Sequence, residues 1–207
     1  MDSAYRFTYI DVGAIGSESD GGVFAQTQFS RMLARQEASL PQPEPLAPGG
    51  EPVDYFLVGD DAFPLRNYLM KPFPLRGLTK EERIFNYRLS RARRIVENAF
   101  GILANRFRVL HTTMCMRPER AECVVMAACI LHNILRNRDP SLQEADHEDT
   151  VTHEVIPGAW RVDANVGTNL PTLPGHTATL SAKAQRIILR DYFSSPAGSV
   201  PWQENMI

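Results

Sequence analysis

One long amphipathic helix constrains this chain more than any other feature of its sequence. Thr79-Lys-Glu-Glu82 matches the S/T-x-x-E capping box, whose first and fourth side chains satisfy backbone N–H groups at a helix start. Apolar residues then recur at steps of three and four, and they are Ile84, Phe85, Leu89, Ala92, Val96, Ala99, Phe100, Leu103 and Phe107. The pattern predicts about seven helical turns with one buried stripe, around which a sizeable core can form.

Two segments have the composition of β-strands. Tyr5–Val12 is rich in aromatic and β-branched residues, which favour a strand. Asp54–Val58 is a short, mostly apolar run that ends at Gly59, and a run of that kind is typical of a central strand buried on both faces.

Three more segments have the periodicity of helices. Phe24–Leu33 predicts a short helix, and Ser181–Phe193 predicts an amphipathic one. Pro118 starts a helix through Leu135 that is apolar nearly all round and is therefore expected to be buried. His132 lies on that helix, where a hydrogen-bonded core histidine is a more frequent role than a metal ligand.

The chain divides by composition into three parts. Residues 1–137 carry the strand and helix patterns, residues 138–180 are a polar insertion expected to be disordered, and residues 181–207 are a carboxyl-terminal helix and tail. The longest apolar run, Val124–Leu131, is far shorter than a membrane span. No signal peptide is visible, and we expect a nuclear or cytoplasmic location.

Asp60 is the first candidate for a chemical role. It follows the predicted central strand directly, and ligands of open α/β sheets bind at the carboxyl ends of the strands. An aspartate that forms a turn is an equally good interpretation of the same position.

Glu97 is the second candidate, and it lies next to the apolar stripe of the long helix. On its own it would more often be a surface carboxylate paired with an arginine. Together, however, Asp60 and Glu97 could hold a hard divalent cation such as Mg²⁺, which prefers carboxylate oxygens and supports phosphoryl transfer.

The long helix also concentrates positive charge. From Lys80 to Arg120 there are ten Lys and Arg residues against four Glu residues, a net charge of +6. Arginine binds phosphate through two parallel hydrogen bonds, so Arg88, Arg91, Arg93 and Arg94 are candidates for nucleic-acid binding. A solvated basic helix face is the alternative.

Five segments form distinctive motifs, and they are Val58-Gly-Asp-Asp-Ala-Phe-Pro-Leu65, Lys71-Pro-Phe-Pro74, the run from Phe85 to Gly101, Ile130-Leu-His-Asn133 and a tail from Asp191 to Gln203. These motifs resemble those of the Harbinger/PIF-type DDE transposases and their domesticated relatives. The resemblance covers nearly the whole chain outside its two polar insertions, and the segment around Glu97 is the most specific part of it. It implies an α/β fold.

The resemblance implies an RNase H-like fold, a mixed sheet flanked by helices. It implies that Asp60 and Glu97 are the second and third acids of a three-acid catalytic site. In this family the acids hold two Mg²⁺ or Mn²⁺ ions, which activate water or a DNA 3′-OH. It also implies DNA as the substrate, a nuclear setting and a separate Myb-like DNA-binding partner.

The chain departs from the family pattern at its start. The first acid of the family lies on the first strand, and the order of elements here indicates that this strand is absent, although Asp2, Asp11 and Asp20 are acids in that neighbourhood. We therefore expect an amino-terminally truncated domain whose nuclease activity is weak or absent. The alternatives are a domesticated, non-catalytic protein that binds nucleic acid or a protein partner through the arginine-rich helix, and a truncated chain that does not fold stably.

Overall fold

The computed structural model describes residues 1–14, 18–138, 145–163 and 178–207, and these residues form a mixed α/β structure. The helices are α1 (Asp20–Gln26), α2 (Gln28–Ala34), α3 (Lys80–Arg106), α4 (Pro118–Arg138) and α5 (Leu180–Ser194). The strands are β1 (Glu44–Pro45), β2 (Pro52–Val53), β3 (Leu57–Val58), β4 (Leu69–Met70), β5 (His147–Glu148) and β6 (Val155–Ile156). Short 3₁₀ turns span Arg108–His111, Ala159–Asp163 and Gln203–Met206.

The strands pair within the described residues as three two-stranded sheets. β1 pairs antiparallel with β2, β5 pairs antiparallel with β6, and β3 pairs parallel with β4. The strand predicted over Asp54–Val58 is confirmed at its carboxyl end only, and both residues of β3 are half-buried rather than buried on both faces. The α/β class is confirmed, while the larger RNase H-like sheet stays a prediction.

The chain divides into two compact units that interleave along the sequence. The described residues of unit 1 are 1–14, 94–138 and 145–163, and those of unit 2 are 18–93 and 178–207. Helix α3 contributes its first half to unit 2 and its second half to unit 1. The sequence-based boundaries at residues 137 and 180 do not coincide with this division.

Helix α3 begins at the capping box that the sequence predicted. The N–H of Thr79 donates to Oε2 of Glu82 at 3.0 Å, and the N–H of Glu82 donates to Oγ1 of Thr79 at 3.3 Å. The apolar stripe is buried at most of its positions, whereas Val96 and Phe100 are exposed.

Unit 2 has an apolar core of large side chains. Met70 from β4, Phe85 and Leu89 from α3 and Leu189 from α5 are all buried in one cluster. Asn86 lies at its edge and bonds both backbone groups of one residue, since its Oδ1 accepts the N–H of Phe73 at 2.8 Å and its Nδ2 donates to the carbonyl of Phe73 at 2.9 Å.

The segment Tyr5–Val12 of unit 1 was predicted to be a strand, and this prediction is wrong. Its backbone groups form hydrogen bonds with side chains of α4 and not with a neighbouring strand. Asn133 accepts the N–H of Phe7 and donates to the carbonyl of Phe7, both at 2.9 Å. His132 bonds the carbonyl of Tyr5 at 2.7 Å and is fully buried, so its predicted core role is confirmed.

Two helix predictions need correction. The helix predicted over Phe24–Leu33 is α1 followed by α2, because Thr27 has an extended backbone that ends one helix and caps the next. Helix α4 is not buried all round, since the large side chains of Ile130, Leu131 and Ile134 are 42–51% exposed. No described helix is both long and apolar enough to cross a membrane.

Candidate functional site

Asp60 lies just past the carboxyl end of β3, next to the parallel strand β4, as the sequence predicted. Its Oδ1 accepts the N–H of Ala62 at 2.9 Å, so the carboxylate also stabilises the turn that follows the strand. The side chain is 36% exposed, which leaves it accessible to solvent and ions.

Arg93 is the cation next to Asp60. Its Nη2 lies 3.4 Å from Oδ2 of Asp60, a long contact between two partly exposed side chains. Such a contact contributes little to stability. The adjacent Asp61 points elsewhere, because it pairs with Lys71 at 3.0 Å.

Glu97 lies in unit 1, on the exposed side of α3, and it lines a cavity of about 950 Å³. The other walls are mainly apolar and aromatic, and they include Phe7, Tyr9, Phe100 and Trp160. Among the described residues that line the cavity, Arg161 is the cation and Asp11 is a second carboxylate. Glu97 therefore faces an open space with an arginine nearby.

Arg161 is held in place by a buried carboxylate. Its Nε lies 2.9 Å from both oxygens of Asp146, and its Nη2 lies 2.6 Å from Oδ2 of Asp146. The side chain of Asp146 is 0% exposed and that of Arg161 is 44% exposed. Burial acts to raise the pKa of Asp146, but the hydrogen bonds from Arg161 and from the N–H of Gly158 outweigh burial and lower that pKa.

Asn98, one residue after Glu97 on α3, holds the backbone of Asp146 in place. Its amide brackets Asp146, accepting the N–H at 2.9 Å and donating to the carbonyl at 3.2 Å. Its Oδ1 also accepts Nε1–H of Trp160 at 3.0 Å. A Cβ atom at Gly101 would overlap the indole ring of Trp160, so the helix has a glycine where that ring packs against it.

The hairpin β5–β6 and the turn Ala159–Asp163 therefore form a folded element within the polar insertion, with Asp146 and Trp160 buried. The rest of the insertion, residues 139–144 and 164–177, lies outside the described residues.

The arginines predicted to bind nucleic acid all have partners within the chain. Arg88 donates to the carbonyl of Gly198 at 3.0 Å and stacks on the ring of Phe193 at 4.8 Å, and burial lowers its pKa. Arg91 lies 5.7 Å from the ring of Trp202.

Arg94 and Arg93 each form a long ion pair. Arg94 lies 3.8 Å from Glu148, and Arg93 lies 3.4 Å from Asp60. The nucleic-acid role of these four arginines stays a prediction. The guanidinium of Arg88 bonds both the carbonyl of Gly198 and the side chain of Gln203.

The carboxylates of Asp60 and Glu97 fit a divalent metal as individual donors, because hard cations prefer carboxylate oxygens. Asp60 lies in unit 2 and Glu97 in unit 1. Among the described residues, no group of three or more His, Cys, Asp or Glu side chains lies together in a way that could hold a metal ion. The predicted roles of both carboxylates as ligands stay predictions.

Sequence reasoning missed Asn98, Asp146 and Arg161. Asp146 and Arg161 lie in the polar insertion, where no periodicity marks a buried residue. The one available hint was Trp160, a large aromatic residue in a segment otherwise expected to be solvated.

Comparisons with known proteins identify the family. Residues 1–133 match the family described as DDE superfamily endonuclease. "Protein ALP1-like" of Arabidopsis thaliana is 28% identical over 137 residues, covering 65% of this chain and 33% of the relative. "Putative nuclease HARBI1" is 31% identical over 112 residues in Mus musculus, covering 53% of this chain and 29% of the relative. The Xenopus laevis protein of that name is 33% identical over 141 residues, covering 67% and 36%.

These matches span about a third of the length of the curated relatives. No solved structure shows significant similarity to the chain. The protein belongs to the DDE superfamily endonuclease family, and its relatives are the Harbinger-derived ALP1-like and HARBI1 proteins, as the sequence motifs predicted.

Proposed function

We propose that this chain is part of a transposase-derived, divalent-metal-dependent DNA endonuclease with an RNase H-like fold. One observation carries the proposal: the segment that matches the endonuclease family places Asp60 directly after the parallel strand β3, partly exposed. Carboxyl ends of parallel strands are where α/β proteins place their ligands. The nuclease names of the relatives support the same class of activity.

Asp60 and Glu97 would each supply a carboxylate to Mg²⁺ or Mn²⁺. When bound, such ions stabilise the charge that develops on the attacking and leaving oxygens of phosphoryl transfer. Two carboxylates hold Mg²⁺ weakly. We therefore propose that the nuclease activity of this chain alone is weak or absent.

DNA would be bound largely through phosphate contacts from arginines on α3. Arg93 and Arg94 are candidates, because their ion pairs with Asp60 and Glu148, at 3.4 and 3.8 Å, are long contacts that a phosphate could replace. Arg88 would serve mainly to join α3 to the carboxyl-terminal tail. A separate Myb-like protein would supply further DNA recognition in the nucleus.

Calorimetric titration of the purified chain with Mg²⁺ and with Mn²⁺ tests the proposal. We expect saturable binding that Asp60→Asn and Glu97→Gln each abolish. Asp61→Asn is the matched control, since this neighbouring carboxylate pairs with Lys71 and should leave metal binding unchanged. A folded chain that binds neither ion, or an Asp61→Asn variant that loses binding equally, contradicts the proposal.

A second function is favoured by the contact of Arg93 with Asp60. This arginine places a positive charge 3.4 Å from the carboxylate that would bind metal and so opposes a cation there, as expected of a domesticated protein that binds nucleic acid or a protein partner without cleaving it. DNA binding in EDTA separates the two functions. Simple binding survives Glu97→Gln and weakens with salt as counterions compete for the phosphates, whereas cleavage requires metal and both acids.

A further inference from the structure

The guanidinium of Arg161 donates its hydrogen bonds within the described residues to one partner, Asp146. Nε and Nη2 are the atoms that donate to Asp146. Within the described part of the chain, Nη1 takes part in no hydrogen bond. The guanidinium thus bonds the buried carboxylate through its side edge, formed by Nε and Nη2. Its end edge, formed by Nη1 and Nη2, is directed away from Asp146.

The guanidinium is also preorganised. Its carbon lies 4.5 Å from the centre of the Trp160 ring, and that ring is bonded to Asn98. Asp146 is in turn bracketed by Asn98 and bonded by the N–H of Gly158 at 2.8 Å. An arginine fixed in this way loses little rotamer freedom when it binds a ligand.

The end edge of a guanidinium can donate two parallel N–H···O bonds, the geometry that a phosphate accepts. Arg161 lines the same 950 Å³ cavity as Glu97, so there is room for a phosphodiester beside that carboxylate. We propose that Arg161 binds a phosphate of the nucleic acid strand through Nη1 and Nη2, next to Glu97. The proposal rests on the function proposed above, and it concerns a residue outside the family-matched range 1–133.

The charges around Arg161 lead to a specific expectation. Asp146 already compensates the guanidinium, and Glu97 adds a further negative charge that is close enough to contribute, after Asp146, to raising the pKa of Arg161. We expect the negative charge of Glu97 to oppose phosphate binding at this position when no cation is bound. Neutralising Glu97 should strengthen DNA binding through Arg161.

Fluorescence anisotropy with a labelled DNA duplex, in EDTA and over a range of salt concentrations, tests the proposal on the full chain. We expect Arg161→Gln to weaken binding about tenfold and to reduce the slope of log K against log salt by about one. Arg161→Lys should keep the slope but lose affinity, because lysine carries the charge but cannot donate two parallel hydrogen bonds to a phosphate. Glu97→Gln should bind about fivefold more tightly, and this gain should disappear in the double variant with Arg161→Gln.

Arg6→Gln is the matched control. Arg6 is also 44% exposed, also in unit 1 and also ion-paired, with Asp2 at 2.7 Å, but it does not line the cavity. Thermal melting checks that each variant is folded, and if Arg161→Gln is not, the Arg161→Lys and Glu97→Gln variants decide the question.

Unchanged affinity and salt slope in a folded Arg161→Gln variant, or equal losses in Arg6→Gln, would make Arg161 a structural ion pair only. A folded chain that fails to bind the duplex in every variant overturns the inference as well. The metal titration decides the proposed function independently of either result.

Discussion

The two units of this protein have interiors of different kinds. Unit 2 is filled by large apolar side chains, with Met70 and Phe85 both 0% exposed. Unit 1 has a much smaller apolar cluster around Leu103, and it borders a 950 Å³ cavity. Much of unit 1 is joined by polar side chains such as Asn98 and Asn133, each of which brackets one residue by bonding both its backbone N–H and its carbonyl.

The difference shows how a small unit can keep an open space beside a candidate functional carboxylate. Hydrophobic packing is non-directional and tends to close voids, whereas a hydrogen bond holds two groups at a set distance. Polar brackets can therefore position Glu97 and Arg161 around a cavity without filling it.

Truncation of one large side chain in each apolar cluster should give the largest effects on the free energy of unfolding, and the clearest difference between the two units. We expect Phe85→Ala in unit 2 to lower the free energy of unfolding by about 4 kcal/mol, because it creates a new void in a filled core. Leu103→Ala in unit 1 should cost about 2 kcal/mol, since Leu103 already borders a cavity and its removal creates less new void. Urea denaturation measures both, and equal losses would show that the two interiors do not differ in the way described.

Removal of the polar brackets should give the next largest effect. Asn98 is 1% exposed and bonds three groups, so we expect Asn98→Leu to cost about 3 kcal/mol by leaving buried peptide groups unpaired. Asn86→Leu in unit 2 should cost about 2 kcal/mol, because its bracket of Phe73 is only partly buried.

Asn105→Leu, at a half-buried position of the same helix α3, is the control for Asn98→Leu and should cost less than about 0.5 kcal/mol. A loss in Asn98→Leu no greater than that of the control would contradict the role given to the brackets.

The pH dependence of stability should give the smallest effect. The pKa of Asp146 is lowered from its ordinary value of 3.8 in the folded protein, so the ionised carboxylate stabilises the fold above about pH 4. As the pH falls through the lowered pKa, the carboxylate is protonated and this stabilisation is lost. We expect about 1–2 kcal/mol of it to be absent in Asp146→Asn, whose stability should vary less between about pH 5 and pH 2.

Denaturation at a series of pH values compares the wild type with Asp146→Asn. Asp191→Asn is a control, because Asp191 is an exposed carboxylate that also pairs with an arginine, Arg190. If both variants show the same pH dependence as the wild type, Asp146 does not couple protonation to folding.

Local patterns predicted the helices well and the strands poorly. The capping box at Thr79 and the stripe of α3 are confirmed, because both depend on residues within a few positions of one another. The strand at Tyr5–Val12 failed because its composition could not show that the side chains of α4, more than 120 residues away, would take its backbone groups. The family was predictable because its motifs are contiguous in sequence.

The sequence by itself determined the long helix, the family and the position of Asp60 just past the end of a short strand. Each of these depends on local order along the chain, where spacing and composition carry the information. Only the tertiary structure decided that Arg161 is fixed by Asp146 beside Glu97, and that four predicted DNA-binding arginines have partners within the chain. These facts depend on contacts between distant positions, and the burial that makes Asp146 an anchor arises only when hairpin β5–β6 packs onto α3.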